Sequence, residues 1–194
     1  MTAIHERVGM PLDEFIQMSS ETPFEIINGE RFPRLPTVSG HNYIIHLLYQ
    51  FLLAHLTLHK LGKCFIEATY ILPDRFDSNW VTGSRIPDLL FISAERWDAY
   101  LSANADWREK PYLLVPDLVI EVISPTDIFS KVDEKVDAYL ADGVRLVVLI
   151  DPQRRKAILY APDAEQPLHL AGNATLNLSE VIPDFQIALP QLFE

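Results

Sequence analysis

The chain has one cysteine, Cys64, in 194 residues. A single thiol closes no internal disulfide and anchors no zinc cluster, so the expected setting is a reducing cytoplasm. A long uninterrupted apolar run is missing too. The nearest is "YIIHLLYQFLLAHLTLHKLG", Tyr43 to Gly62, which His46, Gln50, His55, His59 and Lys60 interrupt. No run reaches the ~18 apolar residues of a membrane span, so a buried helix is expected and no membrane partner. The opening "MTAIHERVGMPLDEF" lacks a long apolar segment, and no secretory signal is read in it. Basic residues are scarce: 16 Lys plus Arg stand against 27 Asp plus Glu, a net charge of −11. That argues against a nucleic-acid binder working through its overall field; a polyanion must be met by a local patch or by metal ions. No internal repeat, low-complexity tract, Gly-rich phosphate loop or G-x-S-x-G elbow occurs.

What is present is an ordinary globular balance, 48% hydrophobic and 22% charged, in a chain long enough for a real core. One domain over residues 1–194 is expected. "PLDEFIQM" reads as a short helix opened by proline. "FEIINGERF" reads as a hairpin turning at Asn28-Gly29. His41 to Leu61 is a long helix whose leucines point nearly all round, so a second subunit is expected to cover the face the domain does not. "CFIEATYIL" (Cys64 to Leu72) and "RIPDLLFIS" (Arg85 to Ser93) read as strands, and "AERWDAYLSANADWREK" as a polar, partly helical excursion. Asp117 to Ile123 is a central strand and Ile128 to Ala141 a helix, with Asp127 a candidate N-cap and Gly143 a stop. "RLVVLIDP" and "KAILYA" are paired strands, and the remainder is a tail over the core. The order gives an α/β fold with a central mixed sheet flanked by helices and an N-terminal hairpin.

Two acids intrude into apolar strands. In "VPDLVIEVISPTD", Glu121 shares a face with Val119 and Ile123; in "RIPDLLFIS", Asp88 shares one with Ile86, Leu90 and Ile92. A carboxylate in a buried strand is costly unless something positive meets it. If the strands are neighbours, both carboxylates can converge on one hard cation, and Mg²⁺ takes one or two carboxylates plus waters and substrate phosphates. The plainer alternative is that each acid is solvated or paired with an arginine such as Arg85.

The following helix offers a lysine. At about 100° per residue, Ile128, Phe129, Val132, Val136, Tyr139 and Leu140 fill an arc of about 120°. Lys135 lies only about 20° outside that arc and Lys131 about 60°. Lys135 is the one whose stem packs on the core and whose head can reach inward, unless it snorkels to the surface.

Asp88, Glu121 and an inward lysine in this element order resemble the PD-(D/E)XK nuclease superfamily. More narrowly, "PDLVIEVISPTD", "KVDAYLADGV" and "LIDP" resemble the large prokaryotic family of restriction-endonuclease-like proteins whose lysine has migrated to the helix after the EVxSP strand. The resemblance extends from "FEIINGE" through the long helix and "RIPDLLFIS" to "LIDP". It implies Asp88 and Glu121 as metal-binding acids, the Val122 carbonyl as a further ligand, and Lys135 as the motif lysine, since Ile123 stands where the superfamily lysine would be. The family tends to carry an acid four residues before this lysine; here Lys131 stands there. Glu67, from the preceding strand, could extend the acidic cluster; Glu25 and His41 admit structural or supporting roles. His55 and His59 have metal-ligand spacing, but Leu56 replaces the glutamate of a metalloprotease helix, so they read as surface or packing residues.

The expectation is a Mg²⁺-dependent endonuclease, with Mn²⁺ a possible substitute, acting on DNA as a homodimer. Two alternatives stay open: a non-catalytic nucleic-acid-binding or regulatory module of the same fold, and a small-phosphoester hydrolase. A positive rim from Arg31, Arg34, Arg85 or Lys131 would favour nucleic acid; a closed pocket would favour a small molecule.

Overall fold

The structure, a computed structural model, describes residues 8–27, 29–34, 36–125, 127 and 129–194, with the side chain of Phe129 also outside the description. Backbone contacts divide the chain into two compact units. The larger comprises Thr37–Ala68, Pro87–Ala105 and Pro116–Glu194.

The larger unit is built on a six-stranded mixed sheet. That sheet and the helices around it are α1 (Ser39–His59), β1 (Gly62–Ile66), β2 (Leu89–Ser93), α2 (Ala94–Ala103), β3 (Leu118–Val122), α3 (Phe129–Ala141), β4 (Leu146–Asp151), β5 (Lys156–Tyr160) and β6 (Leu168–Ala171), and a two-stranded pair, Thr175–Asn177 with Gln186–Ala188, follows them. In space the strands follow chain order, β1-β2-β3-β4-β5-β6. Only β3 and β4 run parallel, Leu118 opposite Leu146 through Val122 opposite Ile150, with α3 as their crossover. Every residue of β3 and β4 is buried. That explains their near-continuous Val/Ile/Leu runs, for both faces are covered.

Strand alternation sorts the two faces. Leu118, Ile120 and Val122, with Leu146, Val148 and Ile150, join a core formed with Ile44, Ile45, Leu48, Leu52 and Leu56 of α1. Val119, Glu121, Val147 and Leu149 therefore point to the opposite face, where α3 packs on β4. The C-terminal segment adds Leu176, Leu178, Val181, Ile182, Phe185, Ile187, Leu189 and Leu192 to the α1-side core, the covering tail expected from the sequence. One side of α1 is thus used within the unit, while Tyr43, Leu53 and Leu58 on it are exposed. Among the described residues no helix is long and apolar enough to cross a membrane.

At the end of α1, Lys60 turns the chain into left-handed backbone (φ 56°). Gly62 then starts β1 at φ 143°, where an added Cβ would come 2.1 Å from the Ile92 carbonyl oxygen, so only glycine allows this close approach. Asp117, fully buried before β3, ties this end together: its Oδ2 accepts the Ser93 N–H at 2.8 Å and its Oδ1 meets Arg96 at 2.9 Å.

Two expected strands are shorter than their composition implies. "CFIEATYIL" breaks after Ile66, where Glu67 adopts left-handed backbone (φ 46°) and turns the chain out of extended conformation. "RIPDLLFIS" splits into Ser84–Arg85 and β2, because Pro87 has no N–H to give a neighbour.

The smaller unit gathers the described part of Met1–Pro36 with Thr69–Ile86 and Asp106–Val115. It holds a helix, Leu12–Glu21, and an antiparallel hairpin of Phe24–Ile27 with Glu30–Pro33. The expected hairpin turn at Asn28, and the expected helix start at Ile128, lie outside the described residues. The hairpin extends through Ser84–Arg85 to Tyr70–Ile71 as a four-stranded sheet. Met10, Leu12, Phe15, Phe24, Ile26, Ile71 and Val81 form its core.

Candidate active site

Asp88 stands in the bend just before β2, not within a strand as its sequence pattern implies. Its carboxylate takes up strand backbone. The Val122 N–H donates to Asp88 Oδ2 at 2.7 Å, and this N–H belongs to the peptide group joining Glu121 to Val122. The Asp88 carbonyl accepts the Glu67 N–H at 3.0 Å. His41, in the first turn of α1, places its Nε2 3.5 Å from Asp88 Oδ1; both side chains are buried. The β2–β3 register pairs Val119 with Leu90 and Ile120 with Leu89, so Glu121 and Asp88 follow as the next opposed positions. These residues all belong to the larger unit.

Glu121, 9% exposed, is met from α3. Lys135 Nζ donates to Glu121 Oε1 at 3.0 Å, and the Tyr139 hydroxyl donates to the same oxygen at 2.5 Å. Lys135 and Tyr139 are four residues apart, so they project from one side of the helix on successive turns. Lys131, by contrast, is exposed and pairs with Glu134 at 2.8 Å. The sequence reading placed Tyr139 among the apolar residues of the helix, and its ring is fully buried. The hydroxyl contact with Glu121 was missed. Its signals were the four-residue spacing from Lys135 and its place in the "KVDAYLADGV" motif.

The remaining candidates fall elsewhere. Glu67 is exposed, beyond the end of β1. Glu25, in the smaller unit, accepts the Ile86 N–H on Oε1 at 2.8 Å and so braces backbone. Arg85 is buried and donates to the Ile26 and Ser84 carbonyls at 3.0 and 3.1 Å, so it is not part of an exposed positive rim. Arg34 donates to the Ile86 carbonyl, and Arg31 contacts Met18. His55 bonds the Pro183 carbonyl oxygen at 2.8 Å and lies against the His59 ring at a 43° tilt, which leaves the pair a packing role on α1.

The donor chemistry suits a hard cation. Among the described residues no group of three or more His, Cys, Asp or Glu side chains is arranged to hold a metal. Asp88, Glu121 and the Val122 carbonyl offer oxygen donors alone, the chemistry Mg²⁺ takes with waters and phosphate filling its shell, and unlike the nitrogen and sulfur of zinc. A residue's N–H and C=O point to the same side of a strand, so the Val122 carbonyl faces the side on which Asp88 sits.

Comparison with known proteins gives the family and the fold. Residues 12–190 match the family model Uma2, described as "Putative restriction endonuclease". Among solved structures, the chain resembles a protein from Anabaena variabilis ATCC 29413 described as a "putative nuclease belonging to DUF820". The TM-score is 0.74 and the identity 19%, over 95% of this chain and 97% of that one. At that identity the likeness establishes the α/β fold. No curated protein matches the chain.

Proposed function

This chain belongs to the Uma2 family, and from that membership we propose that it is a metal-dependent endonuclease hydrolysing phosphodiester bonds, with DNA as substrate. The observation that carries the reading is the ion pair between Glu121 and Lys135, 3.0 Å across, on the strand whose next peptide is bonded to Asp88. Asp88, Glu121 and the Val122 carbonyl would hold Mg²⁺, with Mn²⁺ as a substitute. Such an ion polarises a phosphate and lowers the pKa of a bound water when present. The chain's own residues do the rest. His41 and the Val122 N–H hold the Asp88 carboxylate in place. Lys135, on a flexible stem whose side chain is 30% exposed, brings an ammonium to the same end of the sheet. There it can orient the attacking water or offset the charge that develops at phosphorus.

The net charge of −11 supports a second reading, in which the fold hydrolyses a small phosphoester. Incubating supercoiled plasmid with the pure protein and Mg²⁺ or Mn²⁺ separates them. Relaxed and linear products, absent with Glu121→Ala, support the endonuclease. Intact plasmid, with hydrolysis of a small phosphodiester such as bis-p-nitrophenyl phosphate, supports the rival.

A further inference from the structure

Glu121 Oε1 receives two donors from one helix, and the proposed chemistry uses only Lys135. We propose that Tyr139 is a positioning residue that fixes the Glu121 carboxylate as a cation ligand. The inference rests on the reading of Asp88 and Glu121 as a cation site.

The two donors differ in kind. Lys135 is partly exposed and swings on a four-carbon stem, so its contact can be made and broken. Tyr139 is 0% exposed, and a tyrosine ring turns on two torsions, so burial fixes where its hydroxyl stands. The terminal torsion of a glutamate is broad and sets no orientation on its own. A stationary donor 2.5 Å from Oε1 supplies that orientation: it keeps Oε1 turned to α3 and thereby sets the plane of the whole carboxylate. Core packing alone does not ask for the hydroxyl. Phenylalanine would fill the same space, and a buried hydroxyl is costly without a partner. The bond also lets Lys135 leave Glu121 for a substrate without leaving the carboxylate unheld.

The test is Mn²⁺ titration by calorimetry, with free Mn²⁺ followed by electron paramagnetic resonance. It uses the parent, Tyr139→Phe, Glu121→Gln, Asp88→Asn and the Tyr139→Phe/Glu121→Gln double variant. Loss of a group that orients a ligand typically weakens metal binding about 10–100-fold, and Tyr139→Phe is expected in that range with an unchanged circular dichroism spectrum. In the Glu121→Gln background the same substitution should add no more than about twofold, because Tyr139 acts through Glu121. If Tyr139→Phe fails to fold, Tyr139→Met also fills apolar space without the hydroxyl. Parent affinity in the folded Tyr139 variant, or an equal loss in both backgrounds, overturns the inference. If Asp88→Asn and Glu121→Gln weaken binding and Tyr139→Phe does not, the cation site stands and only the role of Tyr139 fails. If the parent binds no Mn²⁺, or binds it regardless of Asp88 and Glu121, the site reading and this inference fail together.

Discussion

Asp88 Oδ2 accepts the backbone N–H of Val122 at 2.7 Å, so a side-chain oxygen satisfies a buried strand N–H at the end of the β2–β3 pairing. Asp88→Ala removes the acceptor from a buried N–H and should destabilise the protein by about 1–3 kcal/mol. Asp88→Asn keeps an acceptor oxygen and removes the charge. Urea unfolding should therefore rank parent, then Asn, then Ala, while both variants lose cation binding. Equal midpoints for Ala and parent would remove the ladder role from Asp88.

A cation held by the folded state alone stabilises it by mass action, by about 2.7 kcal/mol at one hundred times its Kd. Millimolar Mg²⁺ or Mn²⁺ near pH 7 should raise the melting temperature of the parent and leave Asp88→Asn and Glu121→Ala unmoved. An unchanged parent would count against a shared site.

The parts of this fold that were legible in the sequence are those whose neighbours are general. β3 and β4 could be read because two covered faces demand unbroken apolar residues. Lys135 could be singled out over Lys131 because a helix wheel ranks side chains by angle, and the structure puts its Nζ on Glu121 while Lys131 pairs with Glu134. Other features depend on one particular contact. Glu67 looks like any strand residue, yet its left-handed backbone ends β1. Asp88 alternates correctly with Leu90 and Ile92, but it stands in a bend just before β2 and turns its carboxylate to the Val122 N–H. Tyr139 was hidden because its ring satisfies the apolar arc, and the hydroxyl bond involves a residue 18 positions away. Asp117 joins Arg96 and Arg145 across long stretches of chain, and no local pattern announces that.

Burial pushes the Cys64 thiol up to about 11. The native protein should react slowly with iodoacetamide at pH 8, and unfolding in urea should restore the rate of a free thiol. The linked stability follows from the sign of the shift. Below the ordinary value of 9.0 both states are protonated and nothing changes. Between about 9 and about 11 the unfolded thiol ionises first, so stability falls as pH rises. Rapid native alkylation at pH 8 would contradict the burial of Cys64.

Tyr43, Leu53 and Leu58 expose apolar surface on α1, at 53%, 44% and 76%. Self-association as a two-fold dimer would cover such a face, and a cutter of both strands needs two centres. Light scattering at micromolar concentration should report twice the chain mass, and Leu58→Glu with Leu53→Glu should halve it. A monomeric parent would remove the dimer from the account.

Cleavage rates test most directly whether Lys135 and Glu121 form the working centre of a nuclease. Plasmid is cut with saturating Mg²⁺ by the parent, Lys135→Ala, Lys131→Ala and Lys135→Ala/Ile123→Lys. Lys135→Ala should lose about 10²–10⁴-fold, the range of a positioned acid–base or charge-stabilising group, with cation binding largely kept. Lys131→Ala should matter little, and Ile123→Lys, which returns an ammonium two residues after Glu121, should restore part of the rate. Cleavage by Lys135→Ala at the parent rate, or inactivity of Lys131→Ala in its place, would contradict that assignment.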